Sequence, residues 1–187
     1  MATRSRIAIK TGSVYRSVYC HNDGYPEWNG LMLLFFHSTE KAAKKLMEMG
    51  DMSSLKQQIG RKHSFAKHSE PVWSLFYKRD RGDPDAHAMH DNDLLQLIQR
   101  AAGCDAEYLY LWFDDKWHFC PVIDEPGDIP HLEVLTVWHV FGIERSAACP
   151  LKDDVHPLVL ADWLEEYDNR AEDAALIRTR WMKYETK

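Results

Sequence analysis

The chain has 187 residues, of which 45% are hydrophobic, 12% aromatic and 28% charged, with a formal net charge of -6. That composition suits an ordinary globular domain able to bury a core unaided, and it excludes whole-chain disorder and low-complexity architectures. The excess of 29 acidic over 23 basic residues opposes generic binding to a nucleic-acid backbone, and no apolar run is long enough to span a bilayer.

Ile7, Ile9, Val14 and Ser17-Val18-Tyr19-Cys20 mark two strands joined at Thr11-Gly12, an antiparallel hairpin over 5–20. His21–Gly30 is dense in turn formers and is predicted as a loop. Leu31–His37 is apolar all round, which predicts a buried helix. Ser38 or Thr39 then caps a helix over Glu40–Met49 that buries Ala43, Leu46 and Met47 and stops at Gly50. Asp51-Met52-Ser53-Ser54-Leu55 reads as the entry to another short helix ending at Gly60, and 61–71 as a basic loop.

Val72–Tyr77 is predicted as an aromatic strand running into a charged loop, Lys78–Asp85. Asn92–Ala102 has helical periodicity through Leu94, Leu95, Leu97 and Ile98. Glu107–Phe113 and Lys116–Pro121 flank Asp114-Asp115 as a second hairpin. Residues 122–130 hold two Pro and one Gly and form the best linker, while 131–141 fits strand or helix equally. Helices over 156–167 and 171–184 follow, broken at Asp168-Asn169. The expected fold is α+β: an antiparallel sheet built from hairpins with packed helices, plus a C-terminal helical hairpin. The expected domains are an α+β core at 1–125 and a mainly helical appendage at 126–187.

Cys20, Cys104, Cys120 and Cys149 are widely spaced without a Cys-x-x-Cys pair, which points to free thiols in a cytoplasmic protein. The opening Met1–Arg6 lacks the apolar stretch of a secretory signal.

Two segments have the residue types for ligand binding. Tyr25 and Trp28 offer flat ring faces, and His21 and Asp23 offer donors and acceptors, a set suited to a planar polar guest such as a nucleobase. Alternatively, the rings pin the loop to the core and His21 satisfies a buried carbonyl. Arg79 and Arg81, separated by Asp80, suit bidentate phosphate contacts, with Asp80 orienting an Arg or accepting from a ribose hydroxyl. Alternatively, the three pair among themselves in a solvated turn. His87 and His90 lie near Asp85, Asp91 and Asp93 but lack a third ligand of defined spacing, so neither a metal nor a cofactor is expected. Hydrolase, phosphate-loop and zinc-protease motifs are absent, and neighbouring Cys20 and His21 point to opposite faces of a strand. No catalytic residue is expected.

Thr3-Arg4-Ser5-Arg6-Ile7 and the string Val18–Gly30, with its Tyr-Cys-His-Asn-Asp-Gly-Tyr core, resemble a large group of uncharacterised bacteriophage and mobile-element proteins. Those proteins begin with Thr-Arg-Ser and carry Tyr-Cys-His-x-Asp-Gly-Tyr ahead of a glycine. The resemblance continues through Gly50–Leu55, Lys78–Gly82 and Tyr108–Trp117, so it covers residues 3–120. Asn22 stands where the group carries an aromatic. The segment His156–Glu166, with Ala-Asp-Trp-Leu-Glu-Glu at its centre, resembles a short helical module found beside repeats in large bacterial proteins.

The resemblance implies a phage-type protein acting in the cytoplasm of an infected bacterial host. With the aromatic and Arg content, the expectation is a non-catalytic homo-oligomer that binds a small nucleotide-like ligand. In that setting it would sequester a bacterial immune signal as counter-defence. The alternatives are a protein–protein inhibitor of a host defence enzyme and a nucleotide-degrading enzyme.

Overall fold

The computed structural model of the protein describes residues 2–66, 71–122 and 129–185. The chain divides into two compact units, Met1–Leu135 and Thr136–Lys187, where the sequence suggested a boundary at 125. Among the described residues no helix is long and apolar enough to cross a membrane. The fold class is α+β.

Among the described residues of the first unit, eight strands form one mixed sheet: β1 (Ser5–Thr11), β2 (Val14–Cys20), β3 (Met52–Ser54), β4 (Leu75–Phe76), β5 (Met89–Asp91), β6 (Tyr108–Phe113), β7 (Lys116–Pro121) and β8 (Glu133–Val134). Their order is β4-β3-β2-β1-β6-β7-β8, with β5 paired beside β2. Both expected hairpins form. The β1–β2 register runs from Ser5↔Cys20 to Thr11↔Val14. At the β6–β7 turn Asp114 and Asp115 both adopt left-handed φ, 49° and 56°, which matches the twist of the flanking strands. The hairpins meet through a parallel pairing of β1 with β6, Ser5↔Tyr108 to Ile9↔Trp112. Local hairpin signals cannot reveal that long-range pairing, and it makes the sheet mixed rather than wholly antiparallel.

Side-chain alternation gives the sheet two inward faces. Ile7, Ile9, Val18, Cys20 and Tyr110 lie on one and are at most 1% exposed. Helices α1 (Leu31–Phe36) and α2 (Glu40–Met49) belong to this layer, and the Trp117 indole donates to the His37 carbonyl at 3.0 Å. Thr39 caps α2 by accepting from the Ala42 amide. On the other face Ala8, Tyr15, Leu109, Leu111 and Cys120 pack with Leu97 and Ile98 of α3 (Leu94–Ala102). These apolar partners flank only part of that face. Arg6, Ser17 and Tyr19, at alternate positions to Ala8 and Tyr15, continue it as a polar surface.

Several local expectations give way to tertiary pairing. The expected helix entry at 51–55 is β3, because its extended backbone finds an open edge. The amides of His21 and Asn22 donate to the carbonyls of Met52 and Ser53 at 3.1 and 3.0 Å, while the Asp51 carboxylate accepts from the Tyr19 amide at 2.7 Å. Of the expected strand 72–77 only Leu75–Phe76 is regular, and Tyr77–Arg81 winds into one π-helical turn. The loop 21–30 ends in a second such turn, Pro26–Gly30, that runs directly into α1. Met89–Asp91, which the sequence left unassigned between the charged loop and the expected helix, pairs with Tyr15–Ser17. The ambiguous 131–141 resolves into β8 followed by α4 (Val137–Phe141). Residues 123–128 of the expected linker lie outside the described residues, as do 67–70 of the basic loop.

The second unit holds α4, α5 (Pro157–Tyr167) and α6 (Ala171–Glu185). Buried Leu160, Ala161 and Leu164 of α5 and Ala174, Ile177 and Trp181 of α6 form the seam of the expected helical hairpin. Trp163 is half-buried beside it. Asn169 takes a left-handed φ of 51° at the break.

Gly50 ends α2 with φ 80°, and a Cβ there would stand 2.1 Å from the Ala86 carbonyl oxygen. Gly50→Ala therefore combines backbone strain with a main-chain clash, and it should cost about 2–3 kcal/mol in urea unfolding.

Candidate functional site

The segment after β4 carries the two arginines and the aspartate singled out in the sequence. The π-helical turn at Tyr77–Arg81 sends Arg79 and Arg81 to different surroundings. The Arg79 side chain is 15% exposed and that of Asp80 is fully buried. The Arg79 guanidinium donates to both Asp80 carboxylate oxygens, at 2.7 and 2.8 Å. It also donates to the carbonyls of Ile59, Gly60 and Ser74 at 2.8, 3.0 and 2.8 Å. Asp80 in turn accepts from the Phe76 and His63 amides at 2.8 and 3.2 Å. Burial alone would raise the Asp80 carboxyl, but Arg79 and the two amides outweigh it and hold the group below the ordinary aspartate value. This pair is a clasp between loop 59–63 and the β4 segment, and its donors are committed within the protein.

Arg81 lies apart from the clasp. Its guanidinium carbon sits 4.5 Å from the Tyr77 ring centroid and 5.5 Å from that of Phe65, and Nη2 donates to Asp83 at 2.8 Å. Half of the side chain stays exposed.

Strand register relates this arginine to the first predicted segment. Cys20, Met52 and Phe76 are cross-strand partners and fully buried on one face. Tyr19 and His21, on either side of Cys20, therefore face the opposite way. Arg6, the partner of Tyr19, shares that face. Beyond them a bulge between Met52 and Ser54 and the π-helical turn at Tyr77 interrupt the alternation, and Tyr77 meets Ser53 through a side-chain hydrogen bond. The hydroxyl of Tyr19 shares a 2.8 Å hydrogen bond with His21 Nδ1, and the two rings meet edge-on at 5.9 Å. Burial raises the Tyr19 hydroxyl pKa, partly offset by the charge of Arg4 and its hydrogen bond to that hydroxyl. Burial likewise raises Tyr77, against a Ser53 hydrogen bond and the Arg81 charge. Asn22 ties the strands together through its Nδ2, which donates to the Ser53 carbonyl and hydroxyl at 2.9 and 3.2 Å.

Beneath this platform Arg6 is 4% exposed. Its Nε donates to Ser17 Oγ at 2.9 Å, its Nη1 faces Cys104 Sγ at 3.7 Å, and its Nη2 has no hydrogen-bond partner. Burial pushes the nearby Asp51 carboxyl up, against the Tyr19 amide and the Arg6 charge. The result is a half-buried sheet surface carrying two phenol rings, an imidazole and several guanidinium groups. Such a surface can stack a planar ring and pair with an anion.

The remaining predicted residues lie elsewhere. The Pro26–Gly30 turn packs toward the opposite face, where a Cβ on Gly30 would stand 3.5 Å from Tyr110. Trp28 donates from its indole to the Leu55 carbonyl at 3.3 Å and lies under Lys56 Nζ at 4.3 Å. Lys56 also stands 4.0 Å from Asp23. Asp23 takes a left-handed φ of 58° at the turn, and Tyr25 precedes the π-helical turn as its half-buried entry residue. Thus His21 and Arg81 share one face, Trp28 joins the other layer, and Arg79 with Asp80 braces the loop. Tyr19, Ser53 and Tyr77 were missed as site residues. The available signal for Tyr19 was its alternation with buried Cys20; Ser53 and Tyr77 sit at a bulge and a π-helical turn that no sequence pattern marked.

Two of the carboxylates near His87 and His90 have structural partners. Asp91 binds Arg100 at 2.7 Å, and Asp93 caps α3 through the Gln96 amide at 2.8 Å. Among the described residues no group of three or more His, Cys, Asp or Glu is placed to hold a metal ion. Burial pushes the Cys20 thiol up to about 11, which makes it a poor nucleophile. In the second unit Asp162 and Glu165 pair with Arg178 at 2.8 and 2.7 Å, so part of that acidic surface is neutralised internally. No protein-family model, curated protein or solved structure matches the chain.

Arg79→Ala would strand a buried carboxylate and release loop 59–63, and it should cost about 3 kcal/mol in urea unfolding. The pH dependence follows from the depressed Asp80 carboxyl. Its stabilisation is complete above the ordinary aspartate value of 3.8 and is lost as pH falls through the lower folded value. Asp80→Asn should remove that part of the acid-unfolding slope, as followed by far-UV circular dichroism.

Proposed function

We propose that the protein is a non-catalytic binder of a small nucleotide-like ligand, seated on the platform of Tyr19, His21, Tyr77 and Arg81. The observation that carries this reading is the exposed Arg81 guanidinium laid over Tyr77, on the same sheet face as the Tyr19–His21 pair. Stacking a base on an aromatic side chain contributes about 1–3 kcal/mol. Charge-assisted bonds from guanidinium groups add to it where phosphate oxygens meet them. The rings are already held by Arg4, Ser53 and their neighbours, so little side-chain freedom is lost on binding. Binding without turnover fits a site that presents donors and ring faces.

Asp23, Tyr25, Trp28, Arg79 and Asp80 serve this site as scaffold, positioning the two segments that carry His21 and Arg81. The resemblance to phage proteins gives the biological reading. The ligand is a cyclic or ADP-ribose-derived signal of bacterial immunity, and the protein sequesters it in the cytoplasm of the infected cell. A homo-oligomer would enclose the guest by adding a second copy's surface to the platform.

Native mass spectrometry of the purified protein tests the subunit number and any retained ligand together. Calorimetry with ADP-ribose and cyclic di-AMP then tests the site. For whichever probe binds, Tyr77→Ala and Arg81→Ala should each weaken affinity about tenfold or more. Unchanged affinity in both variants would remove the platform from the account. Chromatographic detection of a product after incubation would replace sequestration with turnover.

A further inference from the structure

Cys104 differs from the other three cysteines in its surroundings. Cys20, Cys120 and Cys149 are buried, whereas Cys104 is partly exposed just after the C-terminus of α3. Burial pushes the Cys20 and Cys120 thiols up to about 11, so both are inert at neutral pH. Cys104 Sγ donates to the Ala101 carbonyl at 3.2 Å and faces Arg6 Nη1 at 3.7 Å.

Arg6 supplies the second, independent observation. It is 96% buried, since 4% of its surface is exposed, and its Nη2 lacks a hydrogen-bond partner. A guanidinium in that position is short of compensating negative charge. Asp51 feels its field, but no Arg6–Asp51 ion pair forms among the described residues. The guanidinium thus stands beside the Cys104 sulfur as a fixed, buried cation.

We propose that Cys104 is a thiol-modification site that undergoes exchange with a small anionic disulfide of the oxidised-glutathione class. Sγ gives its proton to solvent and attacks one sulfur of the disulfide. A new bond forms from Sγ to that sulfur, and the disulfide's own S–S bond breaks. The departing sulfur leaves as a thiolate with the bonding pair. Cys104 is oxidised and half of the small disulfide is reduced, so no further oxidant is required. Arg6 is the cation nearest the reacting sulfur, and the partly exposed Arg4, which stands 3.9 Å from Asp105, offers the incoming carboxylates a second one. Arg6 is the cross-strand partner of Tyr19 and faces Cys104 Sγ, which puts the adduct at that end of the platform. Occlusion of the nucleotide site is thus a consequence that rests on the function proposed above. The modification itself does not.

The test uses the full-length folded protein with oxidised glutathione at neutral pH, read by intact mass and peptide mapping. One adduct per chain at Cys104 is expected, and none in Cys104→Ser. Wild-type protein needs no folding control in a comparison of reagents: oxidised glutathione should react about tenfold faster than the cationic disulfide cystamine, a preference that added salt erases. Arg6→Gln should abolish the preference if circular dichroism shows it folded. Adducts spread over several cysteines, labelling confined to another cysteine, or equal rates with both reagents would each overturn the proposal. Calorimetry on the Cys104 adduct then examines occlusion alone: retained nucleotide affinity would remove that consequence and leave the modification standing.

Discussion

The Arg79–Asp80 clasp is the contact on which the candidate site depends. β4 has two residues and β3 three, too few to hold a sheet edge in place by their own ladder. The guanidinium compensates by binding three carbonyls from two segments while its partner carboxylate collects two amides. Both charges are largely removed from water, so the pair holds only because nearly every polar group in it is satisfied. With the clasp closed, Phe76 points into the core and Tyr77 out of it, and Arg81 lands over the Tyr77 ring. A residue type chosen for phosphate binding thus serves as the brace, and its neighbour two positions on becomes the exposed cation.

The second constraint is the partial cover of one sheet face. The apolar partners of α3 meet Ala8, Tyr15, Leu109 and Leu111, and the same face continues as Arg6, Ser17, Tyr19, His21, Ser53 and Tyr77. Polar residues on an inward-facing sheet surface carry a desolvation cost. Here that cost is met by hydrogen bonds among neighbours: Ser17 with Arg6, His21 with Tyr19, Ser53 with Tyr77. Arg6 is the exception. A buried charge with an unmet donor is an uncommon feature of a folded protein, and it lies directly beside the one partly exposed thiol.

The second unit follows a simpler logic. Its α5–α6 hairpin closes over a seam of small and apolar residues, and its acidic side chains are in part tied to Arg170 and Arg178. The polar surface is therefore mixed in sign rather than a continuous acidic field, which gives little basis for mimicry of a nucleic acid.

Elements built from contacts near in sequence were legible from the chain alone. The two hairpins followed from alternation and turn residues, α2 from its cap and 3.6-residue stripe, α3 from its stripe alone, and α5–α6 from their periodicity and the break at Asp168-Asn169. The α+β class followed from those. The parallel β1–β6 pairing, the strand character of 52–54 and 89–91, and the π-helical turns were not legible. Each depends on an open edge or a buried partner supplied from far along the chain, and tertiary pairing overrides weak local propensity. The site divides in the same way: His21 and Arg81 stood out by residue type, but Tyr19, Ser53 and Tyr77 did not. Side-chain chemistry belongs to single residues and can be read from them. Which face a side chain occupies is set by strand register, and register exists only once distant segments have paired.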